Sequence, residues 1–122
     1  MPNVKKKILI VDDESGITQE IKEFLEEEGY EVYTADMAKI GMRLIETIFP
    51  DVVLIDAKLP DISGNEVLRF CKEKSPRTKT IIVTGYVDQH VMDEAESIGR
   101  DAFLQKPFDL EKIIEEIEKL LT

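Results

Sequence analysis

The sequence predicts an α/β fold: a doubly wound, open sheet of five parallel strands with five helices on both faces. Two observations carry this. Short aliphatic runs alternate with amphipathic stretches five times along the chain, the repeat that right-handed strand–helix–strand crossovers produce. Runs such as "VVLI" and "IIV" lack polar alternation, as strands covered on both faces do. No Pro/Gly/Ser-rich linker interrupts the pattern, so residues 1–122 are read as a single domain, long enough for a real core.

The elements follow in order. "ILIV" (8–11) is the first strand, and the helix after it carries Ile17, Ile21, Phe24 and Leu25 on one face, with Gly29 placed to end it. "EVYTA" (31–35) precedes a helix with Ile40, Leu44, Ile45 and Ile48 on its apolar face, stopped before Pro50. "DVVLID" (51–56) is the third strand. The third helix opens at "SGNE", where Ser63 and Glu66 have capping-box spacing, and continues through Val67, Leu68 and Cys71. "TIIVT" (80–84) leads to a helix with Val91, Ala95 and Ile98, then Gly99. "AFLQ" (102–105) leads to Leu110, Ile113, Ile114, Ile117, Leu120 and Leu121, with Asp109 as the expected cap.

Composition narrows the function. A net charge of −10, from 26 acidic and 16 basic side chains, opposes direct contact with nucleic-acid phosphates. The basic run Lys5–Lys7 reads as a solvated strand edge. No apolar run approaches the roughly 20 residues that span a bilayer, and the run after "MPNVKKK" is too short for a signal peptide. Cys71 is the sole cysteine, so no internal disulfide forms and a cytoplasmic location is expected.

In open parallel sheets, ligands bind beyond the carboxyl ends of the strands. Asp12 and Asp13 follow the first strand, Asp56 closes the third, Thr84 the fourth and Lys106 the fifth. Singly each has an ordinary reading: Asp12 or Asp13 as a helix cap, Thr84 as a strand-end hydroxyl, Lys106 as a surface cation. Together they converge on one edge. Three close carboxylates need more counter-charge than one lysine supplies, and Mg²⁺ fits because it takes few carboxylates and keeps several waters. A metal-held carboxylate can act as a nucleophile towards phosphorus, with a lysine and a hydroxyl neutralising the transferred oxygens.

"VDD", "DAKLP", "TGY" and "FLQKPF", in this order and spacing, closely resemble the receiver domains of two-component response regulators, including single-domain members of the sporulation-relay and chemotaxis types. The resemblance covers Lys7 to about Leu121. It implies the flavodoxin-like strand order 2-1-3-4-5, and it implies that Asp56 is phosphorylated from a phosphohistidine on a histidine kinase or histidine phosphotransfer protein. By the same resemblance Asp13, Asp56 and the Lys58 carbonyl would hold Mg²⁺, with Asp12 acting through water. Lys106 would pair with the phosphoryl group, Thr84 would move to hydrogen-bond it, and Phe103 matches an aromatic position that reorients with Thr84. Pro60 and Gly64 in "LPDISG" match the loop after the phosphorylated residue. The chain departs from the commoner pattern at Lys58, Leu59, Gly85 and Arg100, none of which removes a catalytic group.

A partner must dock near Asp56, and Gly16, Ile17 and Ile21 at the start of the first helix are candidates; the alternative makes both isoleucines core residues. His90 is read as solvated and Cys71 as core. Two other functions compete. A phosphohydrolase working through an aspartyl-phosphate usually needs an acid two residues past the nucleophile, where Lys58 stands. A receiver that only binds proteins is opposed by intact Asp56, Thr84 and Lys106. Nucleotide binding is disfavoured because "DDES", not a glycine-rich loop, follows the first strand. The expected role is therefore not that of an enzyme but of a switch that catalyses only its own phosphorylation and dephosphorylation. Its output would reach a downstream protein target through the fourth helix, fifth strand and fifth helix, or by relay of the phosphoryl group. No output domain is expected in these residues, and a monomer, with at most weak phosphorylation-dependent dimerisation, is expected.

Overall fold

The computed structural model describes residues 4–85 and 88–122; Tyr86 of "TGY" lies outside them. The elements are β1 (Lys7–Val11), α1 (Ser15–Glu27), β2 (Glu31–Ala35), α2 (Ala38–Ile48), β3 (Val52–Asp56), α3 (Gly64–Lys74), β4 (Lys79–Thr84), α4 (Gln89–Ile98), β5 (Ala102–Gln105) and α5 (Leu110–Leu121). The five strands are parallel and ordered β2-β1-β3-β4-β5. Each expected strand is present within a residue of its expected ends.

Successive strand residues point to opposite faces, and the two core layers follow that alternation. Leu9, Val11, Val53, Ile55 and Ile82 pack beneath α2, α3 and α4 with Ile45, Leu68 and Ala95. Ile8, Ile10, Leu54, Ile81 and Val83 pack on the other face beneath α1 and α5, against Ile21, Leu25, Ile113 and Ile117. No helix among the described residues is long and apolar enough to cross a membrane.

Three local expectations are corrected. Ile40 is exposed, and α2 instead buries Ala38, Gly41 and Ile45. A Cβ on Gly41 would lie 2.8 Å from a Val11 methyl, so the missing side chain is what lets α2 close on β1. The Ser63–Glu66 capping box is incomplete: the Ser63 hydroxyl accepts from the Asn65 N–H (3.2 Å), while Glu66 turns to Arg69 (3.6 Å). Asp109 occupies the N-cap position of α5, but its side chain accepts no capping hydrogen bond among the described residues.

Candidate functional site

The carboxyl ends of β1, β3, β4 and β5 meet at one edge, and backbone bonds fix what they carry. The Asp12 N–H donates to the Ala35 carbonyl (3.0 Å), and its Oδ1 accepts from the Glu14 N–H (2.9 Å). Asp56 ends β3; the next residue, Ala57, donates its N–H to the Val83 carbonyl (2.8 Å), and Asp56 Oδ1 accepts from the Lys58 N–H (2.9 Å). Both aspartates are buried. The loop after Asp56 folds back through a bridge between Lys58 and Ser63. Lys106 follows β5, one residue later than a strand-closing position, and its N–H donates to the Thr84 carbonyl (2.8 Å).

From there the Lys106 side chain crosses the strand ends. Its ammonium donates to Asp12 Oδ2 (2.8 Å), Glu14 Oε1 (2.5 Å) and Asp56 Oδ2 (3.0 Å). Oxygens of Asp12, Asp13 and Asp56 lie within 4.8 Å of one another. The Asp13 carboxylate is exposed and makes no hydrogen bond or ion pair with any described residue. An oxygen-only donor set with one carboxylate left unpartnered fits a hard divalent cation. Burial pushes the Asp56 carboxyl above its ordinary range; the Lys58 N–H and Lys106 pull it down, and Asp12 pushes it further up. Burial opposes the charge on Lys106, but its bonds to Asp12, Glu14 and Asp56 outweigh this and hold its ammonium well above the usual range. A cavity of about 300 Å³ opens here, lined by Asp13, Asp56, Lys58, Leu59, Thr84 and Gly85 among others.

Thr84 is buried at the end of β4. Ile82 pairs in register with Phe103 and Thr84 with Gln105, so Thr84 and Phe103 belong to the same sheet face, two positions apart. Phe103 is half-buried against the layer containing Val91 and Ile98, and the Arg100 guanidinium stands 5.8 Å from its ring centroid, within cation–π range.

The docking candidates divide. Gly16 is exposed and Ile17 is 38% exposed, whereas Ile21 is 2% exposed. Ile21 is thereby corrected to a core residue, since α1 turns it onto the sheet with Leu25. Beside Ile17, a groove of about 940 Å³ runs between α1 and the β5–α5 connection, with Phe24, Lys106, Pro107 and Phe108 in its walls. His90 is exposed, as expected. Cys71 is buried, and that burial pushes its thiol up to about 11.

Two residues carry parts that sequence reasoning missed. Glu14 is the third partner of Lys106; a third acid directly after "DD" was the available signal. Asp61 accepts from the Ala38 N–H (2.8 Å) and the Lys39 N–H (3.0 Å), capping α2 from the loop that follows Asp56. No local pattern announces a cap supplied from 23 residues away.

Residues 8–118 match the family described as the response regulator receiver domain. The chain is 32% identical over 118 residues to sporulation initiation phosphotransferase F of Bacillus subtilis, covering 97% of this chain and 95% of that protein. It is 31% identical over 115 residues to the cell cycle response regulator CtrA of Brucella ovis, covering 94% of this chain but 50% of that protein. Among solved structures, the CheY-like receiver domain protein of Methanospirillum hungatei superposes with a TM-score of 0.93 at 41% identity, over 96% of this chain and 94% of that one.

Proposed function

The chain belongs to the response regulator receiver domain family of two-component signalling, and on that premise we propose that it accepts a phosphoryl group on Asp56 from a phosphohistidine of a histidine kinase or phosphotransfer protein. The observation that carries this reading is the ammonium of Lys106 held between Asp12 and Asp56 while one oxygen from each of Asp12, Asp13 and Asp56 lies within 4.8 Å of the others.

An Asp56 carboxylate oxygen attacks phosphorus, the phosphorus–nitrogen bond of the donor breaks, and its electron pair returns to the imidazole nitrogen. Phosphoryl transfer leaves the protein little covalent work beyond positioning and charge stabilisation. Asp13, Asp56 and the Lys58 carbonyl would hold Mg²⁺, with Asp12 acting through water, and the ion would supply positive charge to the transferring oxygens. The Lys106 ammonium donates to one phosphoryl oxygen and the Thr84 hydroxyl to another. Lys58, two residues past the nucleophile, offers no carboxylate to activate water, which disfavours a dedicated hydrolase.

The donor docks over Gly16 and Ile17 along the groove beside α1. The product carries about −1.5 to −2 charges where a carboxylate carried one. Thr84 and Phe103, on one face of the sheet, are the switch that reports this charge to α4, β5 and α5. From that surface the signal passes to a protein target, or the phosphoryl group is relayed onward; the phosphotransferase named among the relatives favours the relay. Residues 1–122 act as one domain, monomeric before phosphorylation with at most weak association after it, in the cytoplasm and without nucleic-acid contact of their own.

The test is intact mass after incubation with acetyl phosphate, with Mg²⁺ or with chelator, for the natural chain and for Asp56→Asn. One Mg²⁺-dependent phosphoryl adduct on the natural chain alone is expected. Equal labelling of Asp56→Asn, or an adduct that ignores chelator, would overturn the assignment.

A further inference from the structure

The ammonium of a lysine has three N–H donors. In the resting site all of those on Lys106 are spent, on Asp12, Glu14 and Asp56. A phosphoryl oxygen approaching Asp56 therefore finds no free donor on Lys106, and that ammonium can meet it only if a carboxylate lets go.

The three carboxylates are not equally free to do so. Asp12 and Asp56 are each buried and anchored by a backbone N–H, from Glu14 and from Lys58. Releasing either would leave a buried charge without its cation, the costly case. Glu14 differs in every respect. Its side chain is 51% exposed against 11% for Lys106, and its carboxylate has no second partner among the described residues. Once released it returns to water, where an exposed ion pair is worth little. Glu14 also lines both the phosphoacceptor cavity and the groove beside α1, so its charge faces any anionic donor entering from either side.

We propose that Glu14 is the displaceable partner of Lys106: it holds the ammonium over the strand ends at rest, yields it to the incoming phosphoryl group, and so limits how fast the site accepts one. It is a positioning residue acting through Lys106. The inference rests on the phosphoacceptor reading of Asp56.

Two effects of removing Glu14 point the same way. Glu14→Ala frees one ammonium donor and removes one negative charge from the entrance; Glu14→Gln removes the charge and leaves a neutral amide oxygen that holds the ammonium more weakly. Loss of one unit charge beside the incoming anion corresponds to roughly five-fold in rate. Glu14→Gln and Glu14→Ala should both accelerate Mg²⁺-dependent labelling by acetyl phosphate by at least that factor at low ionic strength. Raising salt should narrow the gap, because exposed charges are screened. Glu27→Gln is the control. Glu27 is exposed on the same helix, away from the groove, and has no bond to Lys106, so its loss should leave the rate within two-fold of the natural chain.

A second readout needs neither metal nor donor. In chelator, the ¹⁵N-labelled Lys106 ammonium should exchange its protons with water several-fold faster in Glu14→Ala than in the natural chain, and unchanged in Glu27→Gln. Labelling of the natural chain with no acceleration in Glu14→Gln or Glu14→Ala would overturn the inference and leave the phosphoacceptor reading standing. An equal acceleration in Glu27→Gln would also overturn it, assigning the effect to overall charge. Unaltered Lys106 exchange in Glu14→Ala would do the same. No labelling of the natural chain under any condition would instead remove the reading beneath it.

Discussion

A methyl group on Gly64 would stand 2.1 Å from the Asp56 carbonyl oxygen and 2.9 Å from the Ala57 Cα. Both are backbone atoms, so neither can swing aside. The Gly64 N–H meanwhile donates to the Ala57 carbonyl (2.9 Å), tying the start of α3 to the loop that leaves the phosphoacceptor. Gly64→Ala has to push these strands of backbone apart, an overpacking that costs about 1–3 kcal/mol, and it should displace Asp56 from Lys106 as it does so. Urea unfolding should report a lower midpoint, and acetyl phosphate should label the variant more slowly than the natural chain. A variant matching the natural chain in both would mean that α3 can retreat without moving Asp56. Gly16 is the contrast, since nothing lies within 4 Å of where its Cβ would be. The motif "LPDISG" marked Gly64 as special in the sequence, but its reason is a contact between residues eight apart, which only the folded loop supplies.

Helix α2 shows how one element borrows from another. The side chain of its N-cap residue, Met37, has no oxygen to offer the first turn, and Asp61 provides both capping bonds from the loop after β3. Burial alone would push the Asp61 carboxyl up, but the N–H groups of Ala38 and Lys39, with those of Asp61 and Ile62, outweigh it and hold it below its ordinary value of 3.8. A depressed folded value means the stabilisation is present above the unfolded value and fades as pH falls through the folded one. Asp61→Ala should therefore lower the urea midpoint at neutral pH, and the difference should shrink below about pH 4. A difference that persists undiminished at pH 3 would show that Asp61 acts by something other than its charge. The strands were legible because unbroken aliphatic runs have few alternatives in a chain of this length. The face of α2 was not, because pattern reading rewards Ile40 for being apolar and cannot see that Gly41 is buried for being small. The cap was not, because helix-start signals are sought next door in sequence and this one arrives across the fold.

For the whole molecule, the site is a place where stability is withheld. The chain already carries a net charge of −10, and its fold brings Asp12, Asp13 and Asp56 within 4.8 Å with a single lysine among them. The five strand-end residues could be gathered from sequence because parallel strands deliver their carboxyl ends to one edge whatever the loops do. Glu14 was signalled only as a third acid after "DD"; its pairing with Lys106 depends on how a flexible lysine crosses that edge. The energetic consequence concerns Asp56 most. Burial, aided by Asp12, raises its carboxyl above the ordinary range against the pull of Lys58 and Lys106. For an acid raised on folding, the folded state holds its proton longer, so stability falls as pH rises from the unfolded value through the folded one. Without metal, Asp56→Asn should therefore melt at a higher temperature than the natural chain at pH 7, with the gap closing towards pH 4. A bound divalent cation should relieve the same repulsion: at a hundredfold excess over its Kd a ligand stabilises by about 2.7 kcal/mol, a shift on the order of ten degrees in a domain of this size. Thermal melts in chelator and in Mg²⁺ read all of this together. Mg²⁺ should raise the Tm of the natural chain more than that of Asp56→Asn, because the variant has already lost a ligand and a charge. If Asp56→Asn melts no higher than the natural chain in chelator, the carboxylates are not in conflict at rest, and Lys106 with its three partners is a settled ion-pair network rather than a site waiting for a cation.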